Sequence, residues 1–123
     1  MQCLRRRSDI QRVFREGRRF PSPWAVLHAR RRTREEGISG VPRLAIIAGR
    51  RFRTAVARNR ARRVLRETCR EILRDLHAPW DLLLVARPEV LTVAHRSRLE
   101  TLTRLLRAAG VLAGKAEKAA ATV

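Results

Sequence analysis

Apolar residues recur at helical spacing in one segment near each end of the chain. The first predicted helix begins at Asp9, after Ser8 as a candidate N-cap, and ends at Gly17. Its apolar stripe consists of Ile10, Val13 and Phe14. The second runs from Arg98 to Ala109 and stops at Gly110. Its inner face carries Leu99, Leu102, Leu105 and Leu106. Each segment therefore predicts a helix with one face packed on a core.

The longest helical pattern lies in the middle of the chain, from Thr54 to Leu76, and it lacks Gly and Pro. Its apolar face consists of Ala57, Ala61, Val64, Leu65, Thr68 and Ile72. A neighbouring face carries arginine at every fourth position, namely Arg58, Arg62, Arg66, Arg70 and Arg74, with Arg63 beside them. We expect Glu67, Glu71 and Asp75 to form ion pairs with these arginines within the helix. The segment predicts an amphipathic helix with a dry side and a cationic side.

Three shorter apolar runs predict β-strands. The run from Trp24 to Ala29 alternates, which places Trp24, Val26 and His28 on one face. The runs Arg43 to Gly49 and Asp81 to Arg87 are largely apolar and predict buried strands. Because the first two strands follow each other along the chain, we expect them to pair antiparallel. The charged segment from Arg30 to Pro42 between them predicts a mobile loop.

The predicted order is helix, strand, strand, helix, strand, helix, which indicates one α+β domain over residues 1–114. Hydrophobic residues make up 45% of the 123 positions, enough to build a core at this length. Residues 115–123 are rich in Ala and Lys and predict a C-terminal tail. The two cysteines, Cys3 and Cys69, lie far apart and form no CxxC pair, which favours reduced thiols in a cytoplasmic protein.

The charge of the chain indicates a polyanionic partner. Lys and Arg number 29 against 11 Asp and Glu, a formal net charge of +18. Two of the 29 are Lys115 and Lys118, and the other 27 are arginines, whose planar fork binds phosphate and stacks on bases. Ten arginines and two glutamates lie between Arg50 and Arg74, so nearly half of the net charge falls in this segment. An ordered cationic helix is typical of nucleic-acid binding.

Other classes of partner and activity fit the residues less well. A membrane-surface helix carries bulky aromatic residues, which are only 4% here, and no run approaches the roughly eighteen apolar residues of a membrane span. The histidines, His28, His77 and His95, show no metal-ligand spacing. A two-metal nuclease would need several converging carboxylates, and the sequence offers no obvious set. We therefore expect no catalytic residues, no bound metal and no membrane contact.

One segment carries a family signature. The residues Gly49-Arg50-Arg51-Phe52-Arg53-Thr54-Ala55-Val56-Ala57-Arg58-Asn59-Arg60-Ala61-Arg62-Arg63-Val64-Leu65-Arg66-Glu67 resemble the Arg-Asn-Arg signature of the bacterial ribonuclease P protein component. The opening segment Arg7 to Gly17 resembles the first helix of that family, and the match covers roughly residues 4–112. Arg53-Thr54 stand where the family usually has Gly-Asn, so we expect a helix start of ordinary geometry with Thr54 as N-cap.

The resemblance implies a fold. The family has the order α-β-β-α-β-α in a two-layer sandwich with a mixed, mostly four-stranded sheet, similar to some ribosomal proteins. Its fourth strand would be a short piece near Glu89 to Val93. The crossover through the Arg-Asn-Arg helix would be left-handed, against the usual rule.

The resemblance also implies a function. The family protein binds the ribonuclease P RNA, which with Mg²⁺ cleaves the 5′ leader from precursor tRNA. By resemblance, the catalytic RNA would be contacted by Arg58, Asn59, Arg60, Arg62, Arg63 and Arg66. The unpaired leader would lie in a cleft between the first helix and the sheet, formed by Ile10, Phe14, Val26 and His28, with Arg50 and Arg51 at its edge. Phe14, Val26 and Trp24 would equally fit a plain core. Ile10 and His28 replace residues that are commonly aromatic, so we expect a weaker or differently selective leader contact.

Two other binding functions remain open from the residues. A structural RNA-binding protein of ribosomal type would share the α/β build and the charge. A DNA-binding helix-turn-helix needs two short helices joined by a tight turn, which the strands flanking the basic helix disfavour. We therefore expect RNA and not DNA as the partner, and no cofactor held by the protein alone.

Overall fold

Five strands form one mixed sheet in the computed structural model, which describes residues 1–33, 36 and 40–112. The elements in chain order are β1 (Gln2–Cys3), α1 (Arg7–Glu16), β2 (Arg18–Pro21), β3 (Ala25–Arg31), β4 (Arg43–Ala48), α2 (Ala55–Leu73), β5 (Trp80–Ala86), a 3-10 helix (Pro88–Thr92) and α3 (His95–Ala108). The strand order is β1-β4-β5-β3-β2. β4 runs parallel to β1 and β5, whereas β3 is antiparallel to β5 and β2. The predicted α+β class and mixed sheet are confirmed.

The pairing predicted between the first two long strands is wrong. β3 and β4 do not pair with each other, because β5 lies between them and pairs with both. Leu82, Leu83 and Leu84 of β5 are at most 1% exposed, so this strand is buried on both faces. Such a strand is best accommodated at the centre of a sheet, where neighbours cover both edges and helices cover both faces.

The fourth strand predicted near Glu89 to Val93 is also wrong. This segment forms a 3-10 helix that starts at Pro88 and buries Val90 against the core. Proline at the first helical position is preset for a helical turn and cannot donate to a strand ladder. The additional strands are β1 and β2 at the two edges of the sheet. They are only two and four residues long and mostly exposed, so they lack the alternation that marks a strand in sequence.

Helices cover both faces of the sheet. α2 and α3 pack on one face, where Leu65 and Leu102 join Leu82 in one core cluster. α1 packs on the opposite face, where Val13 meets Leu83 in a second cluster. The predicted two-layer sandwich therefore needs correction, because α1 forms a third layer. Alternate side chains of the apolar strands β4 and β5 point to opposite faces, and each face needs a cover.

α1 begins two residues earlier than predicted, at Arg7. The N-cap residue Arg6 makes no side-chain cap bond, so the predicted cap at Ser8 is wrong. The helix ends before Gly17, as predicted, but the reason is a close approach of backbones. A Cβ atom on Gly17 would lie 2.5 Å from the carbonyl oxygen of Val13, so only glycine fits here without a shift of the chain.

α2 begins as predicted, with Thr54 as its N-cap. The Thr54 Oγ1 atom accepts a hydrogen bond from the N–H of Ala57 at 3.1 Å. The helix ends at Leu73, three residues before the predicted end at Leu76. Its buried face consists of Ala61, Leu65, Thr68, Cys69 and Leu73, whereas Ala57, Val64 and Ile72 are half-buried. The predicted dry side is therefore confirmed in position, although Cys69 and Leu73 were missed.

α3 begins at His95, three residues before the predicted start, and stops at Gly110 as predicted. Gly110 has a φ of 83°, in the left-handed region that favours glycine. The N–H of Val111 then donates to the carbonyl oxygen of Leu106 at 2.9 Å, which closes the last turn. Leu102, Leu105 and Leu106 are buried, whereas the predicted core residue Leu99 is only half-buried.

The connection from β4 through α2 returns to β5, its parallel neighbour. The left hand of this crossover stays a prediction. β3 extends to Arg31, into the segment predicted as a loop. Residues 34, 35 and 37–39 of that loop, and the tail predicted at 115–123, lie outside the described residues.

One buried carboxylate joins the sheet to the segment after β3 and to α1. Asp81 Oδ1 accepts hydrogen bonds from Arg32 Nη1 at 2.7 Å and from Arg43 Nε at 2.8 Å, and Asp81 Oδ2 accepts from Arg43 Nη2 at 2.7 Å. Arg43 Nη1 also lies 3.5 Å from Asp9 Oδ2 on α1. The side chains of Arg32 and Asp81 are 1% and 3% exposed. This network fixes the end of the sheet beneath α1.

Candidate nucleic-acid interface

The buried face of α2 sets the direction of its arginines. Ala61 and Leu65 are fully buried against the sheet, so the side chains on the rest of the helix surface point away from it. The predicted RNA-contacting residues fall on that outer surface, with Asn59, Arg60, Arg63 and Arg66 exposed and Arg58 and Arg62 half-buried. The structure therefore places this whole predicted set on the outer surface of α2, where the consecutive residues Arg58, Asn59 and Arg60 spread it around the helix.

Two members of this set are held by hydrogen bonds. Arg58 Nη1 donates to the carbonyl oxygen of Phe52 at 3.2 Å, which ties the first turn of α2 to the preceding turn. Arg62 Nη1 donates to Asn59 Oδ1 at 3.2 Å, three residues earlier. These bonds restrict the rotamers of Arg58 and Arg62, so part of the surface is already ordered before any ligand arrives.

The ion pairs predicted in this helical segment between residues three or four apart are not formed. Glu71 Oε2 lies 3.2 Å from His95 Nε2 on α3, and Asp75 approaches only its neighbour Arg74, at 3.8 Å. Glu67 makes no ion pair with any residue that the structure describes. The sequence spacing allowed these pairs, but surface pairs are weak and their side chains adopt other rotamers at little cost.

Several arginines of α2 therefore keep their charge uncompensated. The side chains of Arg60, Arg63 and Arg66 make no ion pair or hydrogen bond within the described part of the chain. A row of exposed guanidinium groups without ion-pair partners attracts phosphate and can bind it through two hydrogen bonds. This face of α2 is chemically suited to the backbone of a folded nucleic acid.

A groove adjoins this face beside α1 and the outer edge of β4. It has a volume of about 500 Å³ and brings Ile10 of α1 together with Arg62 and Arg66 of α2. Its apolar wall includes Ala45 and Ile47. Ile10, predicted to contact the leader, thus shares a groove with two residues predicted to contact the catalytic RNA. The two predicted surfaces meet along this part of α1.

A pair of rings lies elsewhere on the α1 side of the sheet. The rings of Phe14 on α1 and His28 on β3 are tilted by 60°, with their centroids 4.7 Å apart. Phe14 is 45% exposed although it is a large apolar residue, whereas Val13 beside it is fully buried. Phe14 is therefore a surface residue. The sequence had left open whether Phe14 lies in the core or at the surface.

His28 lies in a buried and cationic environment. The residue is 8% exposed, and burial, followed by the positive charge of Arg19, lowers the pKa of His28 below its usual 6.5. Arg19 is its register partner on β2. His28 is therefore neutral at pH 7 and presents a flat ring to Phe14 in place of the aromatic residue expected from the family.

A second cleft lies at the end of β5, near the turn that follows β4. It has a volume of about 410 Å³ and contains three of the residues predicted to contact the leader, Val26, Arg50 and Arg51. Gly49, Val85, Ala86 and Arg87 complete its lining. Sequence reasoning missed Arg87 and Val85. The antiparallel register that places Val85 beside Val26 links strands far apart in the chain and leaves no local signal.

The described part of the chain contains neither a metal-binding cluster nor a membrane-spanning helix. No group of three or more His, Cys, Asp or Glu side chains there could hold a metal ion. None of the helices described is long and apolar enough to cross a membrane. The two cysteines are both free, with Cys3 exposed and Cys69 buried, and burial raises the pKa of Cys69 to about 12.

Comparisons with known proteins agree on one family. The family model described as Ribonuclease P matches residues 1–110. The ribonuclease P protein component of Chloroflexus aurantiacus is 41% identical over 113 residues, covering 89% of this chain and 78% of the relative. The solved RNase P protein of Thermotoga maritima is 27% identical, with a TM-score of 0.69 and coverage of 87% and 97%. The Staphylococcus aureus RNase P protein has a TM-score of 0.74 and coverage of 90% and 97%, and at 21% identity shows a shared fold.

Proposed function

The chain belongs to the ribonuclease P protein family, and on that premise we propose that α2 binds the catalytic RNA while the α1 side of the sheet binds the 5′ leader of precursor tRNA. As the protein subunit of ribonuclease P, the chain is part of an endoribonuclease and a partner of the ribonuclease P RNA. The assignment of each surface to one RNA is the proposal.

The uncompensated arginines of α2 carry the first half of the proposal. Arg60, Arg63 and Arg66 have no acidic partner in the described residues, and Arg58 and Arg62 are held in place by hydrogen bonds. A rigid helix with this charge suits a large folded RNA, whose phosphates lie at fixed positions. The amide of Asn59 adds a group that can both donate and accept, and so can read a base edge or a 2′-hydroxyl.

The exposed ring of Phe14 supports the second half of the proposal, that the α1 side of the sheet binds the leader. A half-exposed phenylalanine packed on a neutral histidine provides a flat apolar surface, on which an unpaired base can stack regardless of its sequence. Arg50 and Arg51 lie in the neighbouring cleft, where they can contact the backbone of the same strand. An unpaired leader has free bases, whereas a folded RNA helix hides them.

We place the bond-breaking chemistry on the catalytic RNA with Mg²⁺. The carboxylates near α1 are occupied by arginines: Asp81 by Arg32 and Arg43, and Glu36 by Arg12 and Arg30. The hydrogen bond from Arg30 is the main reason why the pKa of Glu36 is lowered. Carboxylates held in this way serve the fold, and the role of the chain is to bind and orient the two RNAs.

Two matched variants test the division into surfaces. The double variant Arg58→Glu with Arg62→Glu should weaken binding to ribonuclease P RNA about 100-fold and lower the slope of log affinity against log salt by about 2. The control, Arg70→Glu with Arg74→Glu, makes the same charge change at the far end of α2 and should have a much smaller effect. Equal losses in both would show that only net charge matters.

Phe14→Ala should weaken binding of precursor tRNA to the holoenzyme about tenfold while leaving mature tRNA unchanged. Phe14→Leu keeps apolar bulk without a ring and should recover little of the loss if stacking is the contact. Cleavage of precursor tRNA at low Mg²⁺ gives the functional readout. The proposal fails if Phe14→Ala and the α2 double variant cause the same defect.

A further inference from the structure

We propose that a third RNA-binding surface lies at the β2 side of the sheet, where two exposed arginines lie over two aromatic rings, and that it binds an unpaired segment of the ribonuclease P RNA. This arginine–ring patch consists of Arg18 and Phe20 of β2, Arg31 of β3 and Trp80 of β5. The patch goes beyond the two surfaces of the proposed function. The choice of RNA rests on that function, because it takes α2 as the site of the catalytic RNA.

Strand register brings the four side chains onto one face of the sheet. Arg18 and Phe20 lie two residues apart on β2 and therefore point the same way. The partner of Arg18 on β3 is Ala29, which belongs to the core beneath α2 and α3. Arg31 follows Ala29 at the same spacing and pairs directly with Trp80. The patch therefore runs ring, arginine, arginine, ring across three strands, on the face opposite α1.

Each arginine is held over a ring that is itself anchored in the core. The guanidinium carbon of Arg18 lies 5.1 Å from the ring centroid of Phe20, and that of Arg31 lies 5.8 Å from the ring centroid of Trp80. Phe20 and Trp80 are half-buried and pack against the main core cluster. The rings therefore restrict both exposed arginines before a ligand arrives, which lowers the entropy cost of binding.

A cleft opens between the two arginine–ring pairs, beside the end of α3. Its volume is about 370 Å³, and its lining includes Arg18, Arg31 and Trp80 together with Ala109 of α3. The small side chain of Ala29 forms part of its floor between the two arginines. The volume lies in the lower part of the range for small-ligand sites, roughly 300–1,000 Å³, and suits one nucleotide.

The two arginines of the cleft keep their charge uncompensated. The side chains of Arg18 and Arg31 make no ion pair or hydrogen bond with any residue that the structure describes. The carboxylate of Glu16 also lines the cleft, but its Oε2 atom lies 2.6 Å from Arg12 Nε and 3.5 Å from Arg30 Nε. Two like charges at one opening repel each other, and a phosphate that accepts hydrogen bonds from both offsets this repulsion.

The chemistry of the patch suits an unpaired nucleotide. A guanidinium that lies over a ring keeps its outer face and its N–H groups available. A base can stack on that face while the N–H groups bind the adjoining phosphate. The bases of an RNA helix are already stacked on their neighbours, so an unpaired segment is the form of RNA that can use the patch in this way.

The position of the patch favours the catalytic RNA over the leader. Phe14 and the proposed leader surface lie on the α1 side, on the other face of the sheet. α2 lies on the same face as the patch, and α3 separates the two, in contact with both α2 and β2. α3 carries Arg104 and Arg107, which are exposed and have no ion-pair partner among the described residues. An RNA bound on α2 can therefore continue across α3 to the patch along a path of positive charge.

The charge is tested by the double variant Arg18→Ala with Arg31→Ala, whose binding to full-length ribonuclease P RNA is measured over a range of salt concentrations. Affinity should fall about tenfold, and the slope of log affinity against log salt should decrease by about 0.7, the value for one phosphate contact on a single strand. Hydroxyl-radical footprinting should show that one short RNA segment loses its protection. This segment should differ from the one exposed by Arg58→Glu with Arg62→Glu.

The control for net charge is Arg74→Ala with Arg96→Ala. Both side chains are exposed, and they lie beside carboxylates instead of rings, with Arg74 3.8 Å from Asp75 and Arg96 3.4 Å from Glu100. Because charges away from the bound RNA are screened by salt, this variant should change affinity by less than about twofold. Equal losses in the control and in the patch variant would overturn the proposal, since net charge alone would then explain binding.

The guanidinium plane and the ring are tested without loss of charge. Arg18→Lys with Arg31→Lys keeps both charges, but lysine is a point charge that cannot stack, so binding should still weaken about fivefold. Trp80→Leu keeps apolar bulk without a ring and should weaken binding about threefold. Urea unfolding checks that each variant retains the fold. Full affinity in the lysine variant would overturn the proposal, because the stacked geometry would then be unnecessary.

The outcomes separate this surface from the proposed function. Weaker RNA binding with a separate lost footprint supports the patch, and unchanged RNA binding in Arg18→Ala with Arg31→Ala overturns it. If that variant instead weakens only precursor tRNA, in proportion to leader length, the patch belongs to the leader and the proposal is wrong. If Arg58→Glu with Arg62→Glu leaves RNA binding intact while the patch variant reduces it, the assignment of α2 fails and the patch stands.

Discussion

Arginine plays two different parts in this protein, at the end of the sheet and along α2. Arg32 and Arg43 share the buried carboxylate of Asp81, with hydrogen bonds of 2.7 to 2.8 Å. Arg60 and Arg63 are exposed, and neither has an acidic partner among the described residues. The same side chain stabilises the fold in one place and remains available to a ligand in the other. The difference lies in burial and in the presence of a carboxylate.

The small number of acidic residues separates the paired arginines clearly from the unpaired ones. With 29 basic and 11 acidic residues, most arginines have no carboxylate to pair with. Asp81 and Glu36 each engage two arginines, which concentrates the compensation on the α1 side of the sheet. The acidic residues of α2 leave their arginines free. The distribution of carboxylates therefore decides which arginines can bind RNA.

The largest effect is expected from removing the buried carboxylate. Asp81→Ala leaves the buried guanidinium of Arg32 without its charge partner and should lower the free energy of unfolding by about 3–5 kcal/mol. Urea denaturation followed by circular dichroism measures this loss. Asp75→Ala is the control: its side chain is 88% exposed, and its removal should cost less than about 0.5 kcal/mol. Similar losses in the two variants would contradict the comparison between buried and exposed charges.

A smaller effect, in a different measurement, is expected from the exposed arginines. Arg60→Ala with Arg63→Ala should change the free energy of unfolding by no more than about 0.5 kcal/mol, because neither side chain has a partner in the described structure. Binding to ribonuclease P RNA should nevertheless weaken by at least about tenfold and become less dependent on salt. A stability loss without a binding loss would reverse the roles given to the two regions.

The smallest effect is the loss of stability expected when the pH is lowered. The pKa of His28 is lowered mainly by burial, and that of Glu36 mainly by its hydrogen bond with Arg30, so the unfolded chain binds protons more readily at both positions. Stability should therefore fall as the pH drops below about 6.5 through His28, and fall again below about 4.5 through Glu36. Urea midpoints at pH 7.5, 5.5 and 4.0 measure both steps. His28→Gln should remove the first step alone, and a variant that keeps it would show that another group titrates.

The helices could be read from the sequence because their signals are local. The apolar stripe of α2, its cap at Thr54 and the glycine that stops α3 depend on residues within a few positions of one another. The cationic face followed from the same periodicity. These features require no knowledge of the rest of the chain, and the structure confirms them.

The sheet could not be read in the same way. The central place of β5 depends on pairing with β3 and β4, and the edge strands β1 and β2 are defined only by their neighbours. The ion pair expected between Glu71 and an arginine of α2 is absent for a related reason, because Glu71 lies 3.2 Å from His95 on α3 instead. Spacing shows which partners are within reach along one helix, but not which competing partners the fold brings closer.

The sequence by itself determined that this chain is a highly basic α+β protein with one cationic helix, since charge and periodicity are properties of neighbouring residues. Only the tertiary structure decided which arginines remain free, because compensation depends on carboxylates brought in from other elements. It also decided that Ile10 shares a groove with Arg62 and Arg66, and that Arg87 lies beside Arg50 and Arg51 over Val26 and Val85. These groupings arise from strand register and helix packing, which bring together residues that lie far apart along the chain.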